Sequence, residues 1–324
     1  MRLLVTGGAG YIGSHTVRLL TQQGNQVTVL DNLRYGHRQA VDVPIIQGEL
    51  TDRPFVHEVL ASGGYDGVVH FAGYAAVGES IGDPGKYFFH NVGGSINLLD
   101  AMRAAGVQRL VFSSTSEVYG EARELPITES HPKEPTNPYG ESKWMVEQIL
   151  RRYTSAYGLR SIALRYFNAA GAAEDGSIGE DHQPESHLIP SAIRAAHGHG
   201  AFRYTCSTVD TPDGSTIRDY VHVLDLASAH VLALRALAEG HAGGAYNVGL
   251  GRGHSTKQVV EAVQRLTDTV FPTSTGAPRE GEPAAKWASN AHIVAELGWR
   301  PVHDLESMIL TAERWHRAHP DGYA

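Results

Sequence analysis

The stretch RLLVTGGAGYIGSHTVRLL, residues 2–20, decides the fold of this chain. A short apolar run leads into glycines at positions 7, 10 and 13 in the spacing GxxGxxG, and a helical apolar pattern follows. A strand, a tight turn and a helix suit a pyrophosphate, because glycines let the backbone approach the anion and the helix N-terminus supplies N–H groups. We therefore expect Gly7, Gly10 and Gly13 to lie at the phosphates of a dinucleotide.

The next apolar strand, QVTVLD, ends at Asp31, 18 residues after Gly13. A carboxylate at the tip of this strand accepts hydrogen bonds from a ribose 2′-hydroxyl and repels a 2′-phosphate. Arg34 and Arg38 follow closely and weaken this preference slightly. The sequence therefore predicts NAD, rather than NADP, as the cofactor.

Strands and helices alternate through the first half of the chain. Apolar runs at 43–46, 67–71, 109–113 and 161–166 are separated by helical patterns such as INLLDAMRAAG. This alternation predicts right-handed crossovers and a doubly wound parallel sheet of the Rossmann type, an α/β fold whose ligands bind beyond the carboxyl ends of the strands.

After Asn168 the alternation gives way to a stretch rich in Gly, Asp, Glu and Pro, and the later segments are shorter. We interpret this part as a smaller C-terminal α/β substrate domain interleaved with the first. Residues 1–168, with parts of about 215–250, are expected to form the NAD-binding domain, and residues 169–324 mainly the substrate-binding domain.

Composition indicates a compact enzyme with a small-molecule partner. The 324 residues are 42% hydrophobic and 19% charged, which argues against disorder. The net charge of −8 and the lack of a long basic run exclude a nucleic-acid or membrane-surface footprint. The single cysteine, Cys206, excludes a disulfide framework, and the sequence has no signal-peptide core and no apolar stretch near the ~20 residues of a membrane span. We expect a cytoplasmic protein.

The segment NPYGESK predicts an acid/base pair beside the nicotinamide. Asn137 and Pro138 suit the first turn of a helix, and a spacing of four puts Tyr139 and Lys143 on one face. A phenol becomes a base near neutral pH only where positive charge, here an ammonium and the cationic nicotinamide, stabilises the phenolate. Tyr139 would move the proton of a substrate hydroxyl while a hydride leaves or arrives, and Thr115 would bond the same oxygen.

Seven segments together resemble a known family. TGGAGYIGS, HFAGYAAVGES, FSSTSEVYG, NPYGESK, LRYFNAAG, PDGSTIRDYVHVLDLA and HPDGY are similar to the extended short-chain dehydrogenases/reductases, and most similar to the UDP-galactose (UDP-glucose) 4-epimerase family. The resemblance covers nearly the whole chain. It implies a tightly bound NAD, a homodimer, and a UDP-hexose whose C4 is oxidised to a ketone and reduced from its other face.

The resemblance also assigns roles to individual residues. The catalytic positions are Thr115, Tyr139 and Lys143, joined by Glu117 if that carboxylate acts near C5. The cofactor positions are Gly7, Gly10, Tyr11, Ile12, Gly13, Asp31, Asn32, Glu49, Leu50, Phe71, Ala72, Gly73, Asn91, Ser113, Tyr139, Lys143 and Tyr166. The substrate positions are Ser114, Thr115, Ser116, Tyr139, Phe167, Asn168, His187, Leu188, Arg218, Tyr220, Arg279 and Glu282. The arginines suit phosphate oxygens because a guanidinium is a fork-shaped donor.

Three departures from the family pattern bear on the ligands. Ala75 replaces a lysine and removes one cation near the cofactor. The segment YTCSTVD leaves only Tyr204 or Thr205 to pack on the base. Lys286 stands at the sugar pocket, where its ammonium either pairs with an anionic sugar or extends into water.

Glu117 leaves two chemistries open. The segment STSEVYG resembles UDP-glucuronate decarboxylases, in which this glutamate acts near C5 beside a 4-keto group. Alternatively Glu117 caps the following turn or faces water. Ser116 stands where dehydratases carry an aspartate. The interpretations are therefore a UDP-sugar 4-epimerase, a related decarboxylase or dehydratase, and a catalytically silent nucleotide-binding protein of the same fold.

The 18 histidines raise the question of a metal site, above all His182, His187, His197 and His199. Neither a CxxC pattern nor an HExxH helix accompanies them. We expect surface and helix-capping roles for these side chains, and no metal.

Overall fold

The computed structural model describes residues 1–205, 209–276 and 283–323. Within these ranges the strands are, in chain order, β1 (Arg2–Thr6), β2 (Gln26–Asp31), β3 (Ile45–Gln47), β4 (Gly67–His70), β5 (Arg109–Thr115), β6 (Arg160–Tyr166), β7 (Asn168–Ala170), β8 (Phe202–Tyr204), β9 (Ile217–Arg218), β10 (Tyr220–His222), β11 (Gly244–Val248), β12 (His254–Ser255), β13 (Thr273–Thr275) and β14 (Ala285–Lys286).

Helices separate most of these strands. They are α1 (Tyr11–Gln22), α2 (Arg53–Gly63), α3 (Val77–Gly82), α4 (Pro84–Tyr87), α5 (Gly94–Ala104), α6 (Pro138–Tyr157), α7 (Leu188–Ala196), α8 (Val223–Ala238), α9 (Thr256–Leu266), α10 (Ala291–Leu297) and α11 (Leu305–Ala318). Short 3₁₀ turns lie at Arg38–Ala40 and Ser116–Tyr119, and a π-helical turn at Phe88–Gly93 joins α4 to α5.

A sheet of seven parallel strands in the described residues has the order β11-β6-β5-β4-β1-β2-β3. The order reverses between β1 and β4, so a crevice opens there beyond the carboxyl ends of the strands. The predicted doubly wound parallel sheet is confirmed. β3 begins two residues later than the apolar run 43–46, because Pro44 has no N–H to donate to the sheet.

Both faces of this sheet are covered, as near-continuous apolar strands require. Leu3 and Val5 point to one face, where they join a core that includes α1 and α8. Leu4 points to the other face, into the core formed with α2, α5 and α6. Successive side chains of a strand alternate between faces, so a single apolar strand contributes to both cores.

The later part of the chain forms a third core. Helices α7, α9 and α11 pack on one another around residues such as Ile193, Val263 and Met308. Three small sheets border it, namely β7 with β10, β12-β9-β14, and β8 with β13. β7 and β10 begin just beyond the central sheet. They therefore connect the third core to the carboxyl edge of the central sheet. In the part of the chain that the structure describes, none of the helices combines the length and apolar character needed to traverse a bilayer.

Candidate active site

The glycine loop joins β1 to α1 at the carboxyl edge of the sheet. Gly7 has a φ of +69°, and an added Cβ would stand 2.5 Å from the backbone nitrogen of Ala72. At Gly13 an added Cβ would stand 2.3 Å from the carbonyl oxygen of Gly7. Both positions therefore require glycine. Gly10 precedes α1 and, being glycine, brings no side chain to the first-turn amides, so a phosphate can approach them closely.

Asp31 ends β2 with its carboxylate against this loop. Oδ2 accepts the N–H of Ala9 at 3.0 Å, and Oδ1 accepts the N–H of Leu33 at 2.9 Å. Burial raises the pKa of Asp31, and these two hydrogen bonds act in the opposite direction. Asn32 follows and donates to Oε1 of Glu49 at 3.0 Å. The structure thus brings three predicted cofactor residues together beside the glycine loop.

The segment after β4 forms the other wall of the crevice. Phe71 and Ala72 donate their N–H groups to the carbonyl of Thr6 at 2.9 and 3.1 Å. The buried Asn91 side chain accepts the N–H of Tyr74 at 2.8 Å and donates to its carbonyl at 3.0 Å. Asn91 therefore holds the backbone of the cofactor wall, a supporting role that its amide group can fill on both sides.

Thr115, Tyr139 and Lys143 converge beyond the end of β5. Thr115 is the last residue of that strand, and Tyr139 lies in the first turn of α6. Asn137 caps this helix as predicted, because its Oδ1 accepts the N–H of Gly140 at 2.8 Å. The cap fixes the start of α6 and thereby the position of the phenol.

Burial dominates the electrostatics of this group. It raises the pKa of Tyr139 well above that of a free phenol, Tyr166 adds to the rise, and a hydrogen bond with Thr115 opposes it. Burial also lowers the pKa of Lys143 to about 8, and Nζ donates to the carbonyl of Ser113 at 2.9 Å. The phenol therefore holds its proton unless a further cation stabilises the phenolate, which the nicotinamide ring of bound NAD⁺ would do.

Ser113 and Ser114 point to opposite sides of β5. The Ser113 hydroxyl bonds the Tyr166 hydroxyl at the crevice. Ser114 instead donates to Oε1 of Glu147 at 2.6 Å, and Glu147 forms a buried ion pair with Arg165. This corrects the expectation that the Ser114 side chain contacts substrate. The physical reason is the two-residue period of a strand, which puts Ser114 on the face opposite Ser113 and Thr115.

Glu117 forms an ion pair that the sequence did not predict. Its Oε1 lies 2.8 Å from Nζ of Lys286, and its Oε2 accepts the amide of Asn137 at 2.9 Å. Burial is the largest single influence and raises the pKa of Glu117. The Lys286 charge, the hydrogen bonds from Lys286 and Asn137, and the Arg218 charge together outweigh it, so the pKa lies below the usual value. The Lys286 side chain is only 4% exposed. It does not extend into water, which corrects that expectation, while the pairing with an anionic sugar stays a prediction.

Asp219 holds the strands that carry the predicted substrate residues. Its buried carboxylate accepts the N–H groups of Leu250 at 2.8 Å and Ala288 at 2.9 Å. Its carbonyl accepts the side chain of Asn168 at 2.7 Å. Arg218 precedes it and lies close enough to lower the pKa values of both members of the Glu117–Lys286 pair. Asp219 was not predicted from the sequence, although a carboxylate inside the segment STIRDYVH was a visible signal.

Other predicted residues connect the crevice to the later part of the chain. Tyr11 donates its hydroxyl to the carbonyl of Gly171 at 2.6 Å, and Ile12 packs against the central core. His187 and Leu188 stand at the start of α7, where the imidazole bonds Glu180. The remaining positions lie along this edge or pack beside it: Leu50, Gly73, Ser116, Phe167 and Tyr220. Cys206, Arg279 and Glu282 lie outside the described residues.

A phosphate loop, an acidic ribose position and a Thr-Tyr-Lys group on a doubly wound sheet define an extended short-chain dehydrogenase/reductase. Residues 3–249 match the family described as NAD dependent epimerase/dehydratase. A UDP-glucose 4-epimerase of Lacticaseibacillus casei is 46% identical over 327 residues, which cover 100% of this chain and 99% of the relative.

Solved structures agree. The crystal structure of UDP-glucose 4-epimerase from Brucella ovis with NAD has a TM-score of 0.94 at 45% identity, covering 97% of this chain and 98% of that one. The enzyme from Bifidobacterium longum with NAD⁺ and UDP has a TM-score of 0.93 at 35% identity, covering 99% and 100%. The chain therefore belongs to the NAD dependent epimerase/dehydratase family and, within it, to the UDP-glucose 4-epimerases.

These comparisons confirm the family, the enzyme class and NAD as cofactor. They also confirm the expected chemistry, NAD-dependent epimerisation at C4 of a UDP-hexose. Nothing in them favours the decarboxylase or dehydratase alternative.

Proposed function

We propose that this enzyme interconverts UDP-glucose and UDP-galactose with Thr115, Tyr139 and Lys143 as the acting residues. The observation that carries the assignment is their convergence beyond β5, beside the glycine loop and Asp31. Bound NAD⁺ supplies the hydride acceptor, and the reduced cofactor returns the hydride to the other face of the 4-ketone. Gly7 and Gly13 fit this cofactor, because any Cβ there would collide with the backbone of Ala72 or of Gly7 and force open the tight turn that lets backbone N–H groups approach a pyrophosphate.

Tyr139 takes the proton of the C4 hydroxyl in the oxidation and returns it in the reduction. Thr115 contacts the same oxygen and keeps it in line with the phenol. Lys143 is a cation buried at 4% exposure, held by the Ser113 carbonyl, and its charge favours the phenolate once the nicotinamide is present. The proton therefore moves within a group from which bulk water is largely excluded.

The engagement of Glu117 supports epimerisation over chemistry at C5. A base for the C5 proton needs a carboxylate oxygen that can turn toward the sugar. Both oxygens of Glu117 are occupied, one by Lys286 and the other by Asn137. Its lowered pKa also makes it a weaker base than an ordinary carboxylate. We assign Glu117 a positioning role and propose that the pair forms a wall of neutral net charge at the sugar pocket.

Exchange at C5 tests this assignment directly. Turnover of UDP-galactose in deuterated water, followed by proton NMR, should give UDP-glucose without deuterium at C5, and UDP-glucuronate should lose no carbon dioxide. Glu117→Gln should also give unlabelled product, whereas Tyr139→Phe should stop the reaction and so show that turnover arises at this site. Deuterium at C5 or a pentose product would make Glu117 the base and overturn the proposal.

The remaining assignments rest on the resemblance and on placement. We propose that Arg218, Asn168 and Leu188 hold the nucleotide diphosphate, because they border the crevice from the later part of the chain. Residues 1–168, with parts of 215–250 including β11, form the NAD-binding domain in this scheme, and 169–324 mainly the substrate domain. The substrate-binding roles of Arg279 and Glu282 stay predictions, and so does the cytoplasmic location. The homodimer is also a prediction, for which light scattering should give twice the chain mass of 35.0 kDa.

A further inference from the structure

Four side chains between β7 and α7 meet in one cluster outside the group around Tyr139. They are Glu180, His182, Glu185 and His187, and one donor atom of each lies within 4.8 Å of the others. Nδ1 of His182 is 3.1 Å from Oε1 of Glu180, and Nδ1 of His187 contacts the same oxygen. Nδ1 of His187 is also 3.6 Å from Oε1 of Glu185. His187 is exposed and stands at the N-cap position of α7, as expected, but both imidazoles also contact the buried Glu180.

Burial and charge call for a cation at this place. The side chains of Glu180 and Glu185 are 4% and 5% exposed, whereas both imidazoles are more open. Oε1 of Glu185 accepts the N–H groups of Ser186 and His187, and both imidazoles contact Glu180. Two buried carboxylates this close together nevertheless need positive charge to balance them. A cavity of about 590 Å³ opens beside the cluster and gives access from solvent. The residues that line this cavity include His316, whose Nε2 is buried and has no hydrogen-bond partner among the described residues.

The backbone holds the cluster in place from behind. The indole of Trp315 donates to the carbonyl of Glu180 at 3.0 Å. The N–H of Tyr323 donates to Asp181 at 3.0 Å, and its hydroxyl accepts the N–H of Gly179 at 3.1 Å. The C-terminal segment HPDGY therefore fixes the first ligand-bearing turn. Donors on a fixed backbone form a site with little loss of conformational entropy on binding.

We propose that Glu180, His182, Glu185 and His187 bind one divalent transition-metal ion of the zinc type. Imidazole and carboxylate donors suit Zn²⁺, with bonds of about 2.0–2.2 Å, and in a tetrahedron such donors stand about 3.3–3.6 Å apart. The contacts of 3.1 and 3.6 Å are close to that spacing. Binding would replace the proton shared by His187 and Glu180 and release it to solvent.

The ion has a structural role. The ligands all lie in the loop that leads into α7, and none of them belongs to the group of Thr115, Tyr139 and Lys143. A metal here would tie the two ends of the loop together and fix the start of α7, where Leu188 stands. Its loss should therefore lower the stability of this part of the chain before it affects the hydride chemistry.

Metal binding to the NAD-loaded, tag-free, full-length protein tests the proposal. After chelator treatment and gel filtration, Co²⁺ titration followed by visible absorbance and Zn²⁺ titration calorimetry should each give one ion per chain. His182→Ala and Glu185→Gln should each weaken Zn²⁺ binding at least about tenfold. Loss of a residue that only supports a ligand already lowers metal affinity by about this factor, and loss of a ligand itself should not cost less. His199→Ala is the matched control, an exposed histidine on the same cavity wall but outside the cluster.

A second readout does not depend on affinity. At a fixed concentration, Zn²⁺ should raise the melting temperature of the native protein and of His199→Ala by the same amount, and that of His182→Ala by less. Lack of stoichiometric binding by the native protein, or an equal loss in the His199→Ala control, would overturn the site. Epimerase turnover plays no part in either measurement, so failure here is distinguishable from failure of the proposed function.

Discussion

Replacing Lys286 by methionine tests the buried ion pair with Glu117. The variant keeps most of the side-chain volume and removes the charge that lies 2.8 Å from Oε1 of Glu117. Removing one member of a buried pair costs about 3–5 kcal/mol, because the other charge is left without compensation. Glu117 is 27% exposed and keeps its hydrogen bond from Asn137, so a smaller loss, about 2 kcal/mol, is expected.

The loss should depend on pH with a definite sign. Lys286 holds the pKa of Glu117 below its usual value, so in the native protein this carboxylate adds stability above the unfolded pKa and loses that contribution as the pH falls through the folded pKa. In Lys286→Met, burial is opposed only by the Asn137 hydrogen bond and the Arg218 charge, so the pKa of Glu117 rises relative to the native protein. The carboxylate then destabilises the fold at pH 8, and less so once protonated. The difference between the two proteins should therefore shrink from pH 8 to pH 5.

Thermal melts of the NAD-saturated proteins measure this difference. At about 2 °C per kcal/mol for a chain of this size, Lys286→Met should melt about 4 °C below the native protein at pH 8. The double variant Glu117→Gln/Lys286→Met should regain most of the loss, because no charge is left unpaired. Arg265→Met is the control, since it removes an exposed ion pair with Glu306 and should cost less than about 1 kcal/mol.

Two outcomes would refute this reasoning. A melting temperature for Lys286→Met within experimental error of the native value at pH 8 would show that the pair adds no stability. A double variant less stable than Lys286→Met would show that methionine fails through packing rather than charge. In either case the lowered pKa of Glu117 could not be attributed to Lys286.

Three further variants test the cofactor and catalytic assignments. Tyr139→Phe should lower kcat at least about 10²-fold while calorimetry shows unchanged UDP binding, and undiminished turnover would mean that another group moves the proton. Asp31→Ala should lower the affinity for NAD relative to NADP in fluorescence titrations; a native protein without preference would contradict the role of Asp31. Gly13→Ala puts a Cβ 2.3 Å from the carbonyl of Gly7, so the folded variant should purify without NAD, and full NAD content would disprove the close approach.

Local patterns predicted much of the fold and part of the site. The strand-glycine-helix unit at Gly7 to Gly13 and the helix that carries Tyr139 and Lys143 are encoded in short spacings, because turn geometry and the helical period act over a few residues. Asp31 was recognisable as the end of an apolar strand. The position of Ser114 was also within reach, since the two-residue period of β5 separates it from Ser113 and Thr115.

The sequence by itself determined a doubly wound sheet, and it predicted the place of the cofactor and the pair that moves the proton. Only the tertiary structure decided what Glu117 and Lys286 do, since they meet across 169 residues of chain. The same holds for Asp219 and its amide partners, and for Glu180 held from behind by Trp315. Such contacts depend on how the later part of the chain packs on the sheet edge, and no period in the sequence records a distance between segments that only folding brings together.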